Sequence, residues 1–418
     1  MKDFEHAYNV LTKVVEEGLP FNIAIRSSLK EEKNKYTGDF KSSISAVSGC
    51  ALRHYFVFKE IVSRHYGEIE EKEFLLLSVG LANHIFAKRF DEEELNAFIS
   101  KKTSLEGAVE FISSFNDPKT LIPEDIEFGS KKFLSLRHNL PIWLVNMWQK
   151  NAGPILSKKL FRGLSEHKQP LVRINTDNIT VEEFLKKYSD FTQFNDEPVA
   201  VFNGKGNIKK HDAIINNDAF DMPISYRFMC KDLDIDPLRG IAIYGGSNNS
   251  LLNELTIMLG TSFKADYVCG VQKHYFDTLA TIKKLGLTDV STYEGGASLI
   301  VTCISKPVHT FFVCPENTYF LGLIERPDYF LTLKQENLDQ IIANEELALN
   351  ESAAFVEQGG DLVYFIPTFC KNEGRSLIHR FLNKHKEFTL VEEKQLFPFD
   401  KYQTFLYFAV LRKEVTND

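Results

Sequence analysis

The sequence predicts an all-helical N-terminal bundle, a small mixed α+β segment, and a C-terminal α/β domain built on a mostly parallel sheet. Before about residue 130, apolar residues recur at the helical period, and Pro20 is the only proline before Pro118. After about residue 220, short apolar segments alternate with amphipathic ones, as in a parallel sheet covered by helices on both faces. The predicted domains are 1–130, 131–220 and 221–418.

Three periodic segments predict the helices of the first domain. In residues 5–15, Tyr8, Leu11 and Val14 fall on one face of a helix. Residues 42–65 and 71–90 give two further long periodic segments. Helices joined by short polar connections pack as a bundle, so we expect one here.

The sequence of the middle domain predicts both helices and a strand. Residues 140–148 open a helix with Pro141 near its start, where the missing N–H of proline costs little. Residues 170–176 are typical of a strand. Thr180 and Glu183 then have the spacing of a capping box and predict another helix start.

The C-terminal domain is predicted as alternating strands and helices. The expected strands are 241–244, 267–271, 298–304, 310–314, 362–366 and 405–411. The expected helices include 251–259, 275–285, 338–356 and 375–385. The last predicted strand lies at the C-terminal end of the domain and fits an antiparallel position.

Composition excludes several classes of protein. The 418 residues are 44% hydrophobic, and no uninterrupted apolar segment is long enough to span a membrane. The first residues have no apolar core of a signal peptide, and the six cysteines form no CxxC pair, so we expect reduced thiols in the cytoplasm and no metal site. The net charge of −8 disfavours a nucleic-acid partner, although it does not say where the charges lie.

Most catalytic motifs are absent from the sequence. It contains no HExxH, no Walker A loop and no GxSxG. The carboxylate pair Asp234 and Asp236 is predicted to lie in a helix-capping loop, and the pair Glu345 and Glu346 on a solvated helix face.

One turn is placed where such sheets bind ligands. Gly245 and Gly246 follow the first predicted strand and precede a helix, at the carboxyl edge of the sheet. The turn fits either a nucleotide-like cofactor or an ordinary capped helix start. Gln272 follows the next strand, and His274 is predicted as a solvated loop histidine.

Several stretches, in order, resemble the RsmB/Sun (Fmu) family of S-adenosylmethionine-dependent RNA cytosine-5 methyltransferases. The N-terminal bundle is similar to the NusB-like domain of these enzymes, with Ser48–Arg53 matching its "G-V-LR" helix. The other matching stretches are Leu136–Leu144 ("RHS-P-WL"), Arg173–Thr176 ("RVNT"), Lys284–Leu287 ("RLGL"), Glu325–Asp328 ("RRPD"), Gly359–Tyr364 ("GG-x-LVY") and Phe405–Lys413 ("GFFyAvLRK"). The resemblance implies a Rossmann-like methyltransferase fold for the C-terminal domain.

The chain departs from this family at the positions that carry chemistry. Pro367 falls where the family has its nucleophilic cysteine, and Cys370 lies three residues further on. The family's "D-A-P-C-S" loop is replaced by a stretch in which Cys314 precedes the proline and is expected to end a buried strand. The family's ribose-binding acid is Gln272 here, and only Glu294 can supply the acid after the third strand.

The resemblance implies two sets of site residues. A degenerate cofactor site would comprise Gly245, Gly246, Gln272 and Glu294. RNA contacts are expected in the middle domain, although its basic residues also fit an ordinary solvated surface. The RNA-contact candidates are Arg137, Arg162, Arg173, Asn175, Lys209 and Lys210.

Three hypotheses follow. The first is a protein that binds structured RNA, ribosomal RNA or the small ribosomal subunit, without methylating it and without a cofactor. The second is an active methyltransferase that uses S-adenosylmethionine and a rearranged nucleophile, Cys370 or Cys314. The third is a protein–protein scaffold, whose partner would meet the acidic N-terminal domain.

Overall fold

The structure, a computed structural model, describes residues 3–29, 38–165, 169–245, 249–399 and 404–415. Within these residues no helix is long and apolar enough to cross a membrane, and no cluster of side chains is arranged to hold a metal ion. The helices are α1 (Asp3–Val15), α2 (Phe21–Ser28), α3 (Gly38–Arg53), α4 (Tyr55–Tyr66), α5 (Glu71–Leu81), α6 (Glu92–Lys102), α7 (Ala108–Ser113), α8 (Lys131–His138), α9 (Ile142–Ser165), α10 (Val181–Lys187), α11 (Asp212–Ile215), α12 (Ser225–Cys230), α13 (Asn249–Leu259), α14 (Gln272–Leu285), α15 (Ile300–Cys303), α16 (Gly322–Glu325), α17 (Tyr329–Thr332), α18 (Leu338–Ala353) and α19 (Arg375–Lys384).

The strands form two sheets. They are β1 (Leu171–Ile174), β2 (Phe191–Gln193), β3 (Val199–Phe202), β4 (Ala219–Phe220), β5 (Ile241–Gly245), β6 (Ala265–Cys269), β7 (Val290–Glu294), β8 (Val308–Cys314), β9 (Val356–Ile366), β10 (Phe388–Leu396) and β11 (Leu406–Lys413).

The chain divides into two units. The helical unit comprises residues 1–165 together with 322–335, and the sheet unit comprises 166–321 and 336–418. The short segment that contains α16 and α17 therefore belongs to the helical unit, although in sequence it lies between two parts of the sheet unit. The three-domain division with boundaries near 130 and 220 stays a prediction.

The helical unit confirms the all-α N-terminal region. Its apolar core takes residues from α1 to α8 and also Phe330 of the 322–335 segment. The periodic segment 42–65 is two helices rather than one, because the chain bends at His54 between α3 and α4. The segment 71–90 changes from α5 into a π-helical turn, Ala82–Ala87.

The small sheet of the sheet unit is antiparallel, with the order β2–β3–β1–β4. Its first strand, β1, lies where the sequence predicts one. The capping box predicted at the start of α10 is confirmed, since the Thr180 side chain accepts from the Glu183 backbone and the Glu183 carboxylate accepts from the Thr180 backbone.

The large sheet has seven strands in the order β10–β11–β9–β8–β5–β6–β7. Strands β5 to β9 pair in parallel, whereas β11 runs antiparallel between β9 and β10. The Rossmann-like, mostly parallel sheet predicted from the sequence is therefore confirmed, as is the antiparallel position of its last strand. Because β6 and β8 lie on opposite sides of β5, the topological switch point falls between β5 and β8.

One strand predicted for this domain is wrong, and the strands β7 and β10 were not predicted. Residues 298–304 form a helical turn and α15 instead of a strand. The third strand is β7, residues 290–294, which lies at the edge of the sheet and has mostly exposed or half-buried side chains. An edge strand of this kind lacks the apolar character that marks the buried strands of the sequence.

Candidate functional site

The carboxyl ends of four parallel strands lie side by side at one edge of the large sheet. The pairing register places Cys314, Gly245, Cys269 and Glu294 in a single row across β8, β5, β6 and β7. Gln272 is the first residue of α14, which follows β6 after a short connection. The side chains of Gln272 and Glu294 are both exposed. The structure thus brings three of the predicted cofactor residues to one edge, while Gly246 lies outside the described residues.

Gly245 is required by its neighbour rather than by a ligand. Its φ is +145°, and a Cβ atom there would lie 1.9 Å from the carbonyl oxygen of Cys314 on β8. No side chain fits such an approach, so the glycine follows from close packing of the two strand ends. A phosphate- or nucleotide-binding role is not needed to explain it.

The Tyr244 side chain covers the end of the neighbouring strand. It is 7% exposed and belongs to the apolar core on one face of the sheet. Its hydroxyl lies 3.4 Å from where a Cβ on Gly270 would be, just beyond β6. The tyrosine also interacts with the backbone of Ala297 after β7, and burial raises its pKa to about 12. The ring therefore spans the strand ends from β5 towards the segment after β7.

A buried polar network joins the loops that follow β8 and β9. The Glu373 carboxylate accepts hydrogen bonds from the Thr318 backbone N–H at 2.7 Å and from the hydroxyls of Thr318 and Thr368 at 2.8 and 2.9 Å. The two threonine hydroxyls are 2.7 Å apart. The Tyr364 hydroxyl donates to the Glu373 backbone carbonyl at 2.8 Å. These contacts fix the two loops to each other.

Glu345 of α18 lies beside this network and is completely buried. It was predicted on a solvated helix face, which is wrong for Glu345. Burial, together with the charge of the neighbouring Glu373, raises the pKa of Glu345 well above its ordinary range. Glu346, the next residue, is half-buried and pairs with Lys384 and Arg380.

The thiols at this edge of the sheet are buried. Cys314 ends β8, as predicted, and is 6% exposed. Pro367 directly follows β9, and Cys370 is 3% exposed three residues later. Burial and the charge of Glu373 raise the pKa of Cys370 to about 12. At neutral pH this thiol holds almost no thiolate, the form that acts as a nucleophile.

Two residues predicted to contact RNA are buried instead. The Arg173 guanidinium donates to both oxygens of Glu254, with Nε–Oε2 and Nη2–Oε1 distances of 2.9 and 3.1 Å. It also donates to the carbonyls of Ile174 and Pro198. Asn175 is 5% exposed and donates to the Asn217 carbonyl. Burial therefore argues against an RNA contact by either residue.

The other four candidates lie on the surface. Arg162 and Arg137 are exposed in the helical unit, on α9 and α8. Lys209 and Lys210 are exposed in a short helical turn of the sheet unit, where Lys209 is 3.8 Å from Asp221. His274, predicted in a solvated loop, belongs to the first turn of α14 and is half-buried.

Sequence reasoning missed the buried network, although weak signals were present. Glu373 is the only acidic residue between the predicted strand 362–366 and the predicted helix 375–385. Thr318 is the first hydroxyl residue after the predicted strand 310–314. Their side chains meet only because β8 and β9 are neighbours in the sheet.

Comparisons with solved structures identify the fold. The structure of PH0851 matches with a TM-score of 0.76 and 15% identity, over 99% of this chain and 99% of that one. A methyltransferase homolog protein from Pyrococcus horikoshii matches with a TM-score of 0.57 and 13% identity, over 67% of this chain and 97% of that one. NSun6 from Pyrococcus horikoshii, solved with SFG, matches with a TM-score of 0.59 and 11% identity, over 66% of this chain and 99% of that one.

These likenesses show a methyltransferase fold. No protein-family model matches the sequence, and no curated protein matches it. The fold-level part of the predicted resemblance is therefore confirmed. The RsmB assignment and the NusB-like character of the helical unit stay predictions.

Proposed function

We propose that this protein binds ribosomal RNA through a methyltransferase fold and does not methylate it. The observation that carries the proposal is the carboxyl end of β9. There Pro367 occupies the position at which the RsmB/Sun resemblance expects a nucleophilic cysteine. Cys370, the nearest thiol in sequence, is buried against Glu373.

Methylation of cytosine at C5 needs a thiolate that attacks C6 of the ring. Proline has no nucleophilic side chain, so Pro367 cannot supply the attack. Cys370 would have to leave its buried position and lose a proton held with a pKa of about 12. Cys314 is buried at the end of β8, with its carbonyl packed against Gly245. Neither thiol is prepared for nucleophilic catalysis.

The residues at the sheet edge do not fit S-adenosylmethionine. A ligand of such a sheet binds outside the carboxyl ends of the strands. In this chain the Tyr244 ring covers the end of β6, and Gly245 serves the packing of β5 against β8. Gln272 offers a neutral amide where a carboxylate would accept a ribose hydroxyl more strongly. We therefore infer that no cofactor is held here.

The RNA part of the proposal rests on exposed cations. Lys209 and Lys210 are adjacent and exposed, and Arg162 is exposed in the helical unit. Lysine and arginine on a surface bind the phosphates of nucleic acid whatever the net charge of the chain. Small-subunit ribosomal RNA is the expected partner because it is the substrate implied by the RsmB resemblance.

The first experiment measures RNA binding. The wild-type protein is titrated against a small-subunit ribosomal RNA transcript at several salt concentrations, and the affinity is expected to fall as salt rises. The double variant Lys209→Gln/Lys210→Gln is expected to bind more weakly. Lys283→Gln/Lys284→Gln, which changes two exposed lysines of α14 in the same unit, is the matched control. Salt-independent or absent binding would reject the proposal and favour the scaffold hypothesis.

The second experiment tests the lost chemistry. Calorimetry with S-adenosylmethionine is expected to give no binding, and labelled S-adenosylmethionine is expected to leave the RNA transcript unmethylated. Micromolar cofactor binding would contradict the inference from Tyr244. Methyl transfer that disappears in Cys370→Ser or Cys314→Ser would establish the active-enzyme hypothesis instead.

A further inference from the structure

A cavity of about 360 Å³ is lined entirely by described residues of the helical unit, and its charged lining residues are arginines. Three arginines from distant parts of the sequence line it: Arg53 at the end of α3, Arg137 on α8, and Arg326 between α16 and α17. Two stretches that carry the family resemblance, 136–144 and 325–328, therefore meet around one cavity. Among the lining residues that the structure describes there is no aspartate or glutamate.

Within the described part of the chain, two of these arginines have no counter-charge. Neither Arg53 nor Arg137 forms a hydrogen bond or an ion pair with any residue that the structure describes. Both are exposed, so a ligand can reach their guanidinium groups. Arg326 differs, because its guanidinium pairs with the buried carboxylate of Asp328. The cavity is thus lined by two arginine charges that no described carboxylate neutralises, which favours an anionic ligand.

The backbone segments that carry Arg53 and Arg137 are linked by one side chain, Asn139. Asn139, directly after α8, donates to the Leu52 carbonyl at 2.8 Å and accepts from the Phe56 backbone N–H at 3.1 Å. Through these two hydrogen bonds the Asn139 side chain links the end of α8 to the bend between α3 and α4. Arg53 and Arg137 are each within two residues of an anchored atom, so their backbones are placed before any ligand arrives.

Besides the arginines, the cavity is lined by two histidines, Asn139 and apolar side chains. His54 stacks on Phe86 with ring centroids 4.0 Å apart, and His138 stacks on Phe161 at 5.4 Å. Burial and the neighbouring arginines lower the pKa of both histidines, that of His138 to about 4. At neutral pH the imidazoles are therefore uncharged, and the positive charge of the cavity comes from its arginines.

We propose that this cavity binds a phosphate group of the RNA backbone, held between the guanidinium groups of Arg53 and Arg137. Guanidinium groups bind phosphate oxygens through paired, charge-assisted hydrogen bonds. The volume is in the range of small-ligand sites, so it admits a phosphate with part of its attached ribose. The proposal rests on the proposed RNA-binding function and adds the place at which a phosphate is held.

The test compares two arginine variants in RNA binding. Arg53→Gln/Arg137→Gln removes the two unpaired charges, and Arg89→Gln removes an exposed arginine of the same unit that does not line the cavity. The double variant is expected to bind the small-subunit ribosomal RNA transcript about tenfold or more weakly. The slope of log affinity against log salt is expected to fall by about 0.7 for one lost phosphate contact. Arg89→Gln is expected to leave the slope unchanged.

Thermal melting tests whether the double variant is folded, and a transcript without its 5′-phosphate tests which phosphate is bound. Because neither Arg53 nor Arg137 pairs with a residue of the described ranges, the double variant is expected to melt at or above the wild-type temperature. Inorganic phosphate at constant ionic strength is expected to raise the melting temperature of the wild type only. Removing the 5′-phosphate of the transcript is expected to leave wild-type affinity unchanged, since the ligand is a backbone phosphate.

The outcomes separate this proposal from the proposed function. If the wild type binds RNA and the folded double variant binds it equally well, the cavity proposal is wrong and the RNA-binding function stands. If wild-type binding depends on the 5′-phosphate, the backbone assignment is wrong. If the wild type shows no salt-dependent RNA binding, both the function and this proposal are wrong.

Discussion

Arg173 and Glu254 form a buried ion pair within the sheet unit, linking β1 of the small sheet to α13 of the large one. Their side chains are 3% and 0% exposed, and two hydrogen bonds connect them. Arg173 thus joins the small sheet to a helix that packs on the large sheet. Its charge is neutralised inside the protein.

We expect Glu254→Gln to destabilise the protein strongly without changing RNA affinity. The substitution leaves the Arg173 guanidinium buried without a counter-charge, which costs about 3–5 kcal/mol. Urea denaturation measures the loss, and the RNA titration checks the affinity of the fraction that stays folded. Glu182→Gln, at an exposed glutamate of α10, is the control and is expected to change stability by less than about 0.5 kcal/mol. A neutral effect of Glu254→Gln would contradict the structural role of the pair.

We expect Gly245→Ala to prevent close pairing of β5 and β8. The new methyl group would lie 1.9 Å from the Cys314 carbonyl oxygen, so the strands must separate. Gly260→Ala is the control, because Gly260 also has a positive φ but no atom lies within 4 Å of its Cβ position. The control should lose about 1 kcal/mol through backbone strain alone. Thermal melting measures the loss of stability in both variants. Equal losses in Gly245→Ala and Gly260→Ala would contradict the packing explanation.

The buried acid Glu345 is expected to make stability depend on pH. Its pKa in the folded protein is raised above the ordinary value of 4.5, so the native state binds a proton that the unfolded chain releases. The contribution of Glu345 to the free energy of unfolding therefore falls as pH rises above 4.5 towards the raised pKa. The fall is up to about 1.4 kcal/mol per pH unit. Glu345→Gln keeps the shape and removes the titration, so its urea midpoint should vary less with pH.

The adjacent Glu346 provides the opposite case. Lys384 and Arg380 lower the pKa of Glu346, so its ion pairs contribute stability above its ordinary pKa and lose it as pH falls. Glu346→Gln should lower the free energy of unfolding slightly at neutral pH, by up to about 1 kcal/mol, because these pairs are partly exposed.

A steeper pH dependence of the urea midpoint in Glu345→Gln than in the wild type would contradict the assignment of Glu345 as the protonated acid.

Cysteine alkylation should reveal which thiols are available. In the folded protein, iodoacetamide is expected to modify the half-buried Cys303 well before Cys370, which is buried and has a pKa of about 12. Against an ordinary value of 9, that pKa lowers the thiolate fraction by roughly a thousandfold. Mass spectrometry of tryptic peptides gives both rates, and denatured protein gives the rates without protection. Fast modification of Cys370 in the folded protein would reopen the active-enzyme hypothesis.

The strands that sequence reasoning found are those buried on both faces. β5, β8 and β9 have continuous apolar stretches, which mark them without any knowledge of their neighbours. β7 and β10 lie at the two edges of the sheet and carry many exposed side chains, so their composition resembles that of a loop or helix. The structure places them as strands because their backbones complete the pairing of β6 and β11.

The candidate site divides in the same way. The sequence by itself determined that Pro367 stands where the family resemblance expects a nucleophile and that Gly245 comes directly after the first predicted strand of the large sheet, since these depend only on order along the chain. Only the tertiary structure decided that Glu345 is buried and that Arg173 is paired. It also decided that Arg53, Arg137 and Arg326 share one cavity. The reason is physical: the charge state of a side chain, and its use, depend on neighbours brought from distant segments by packing.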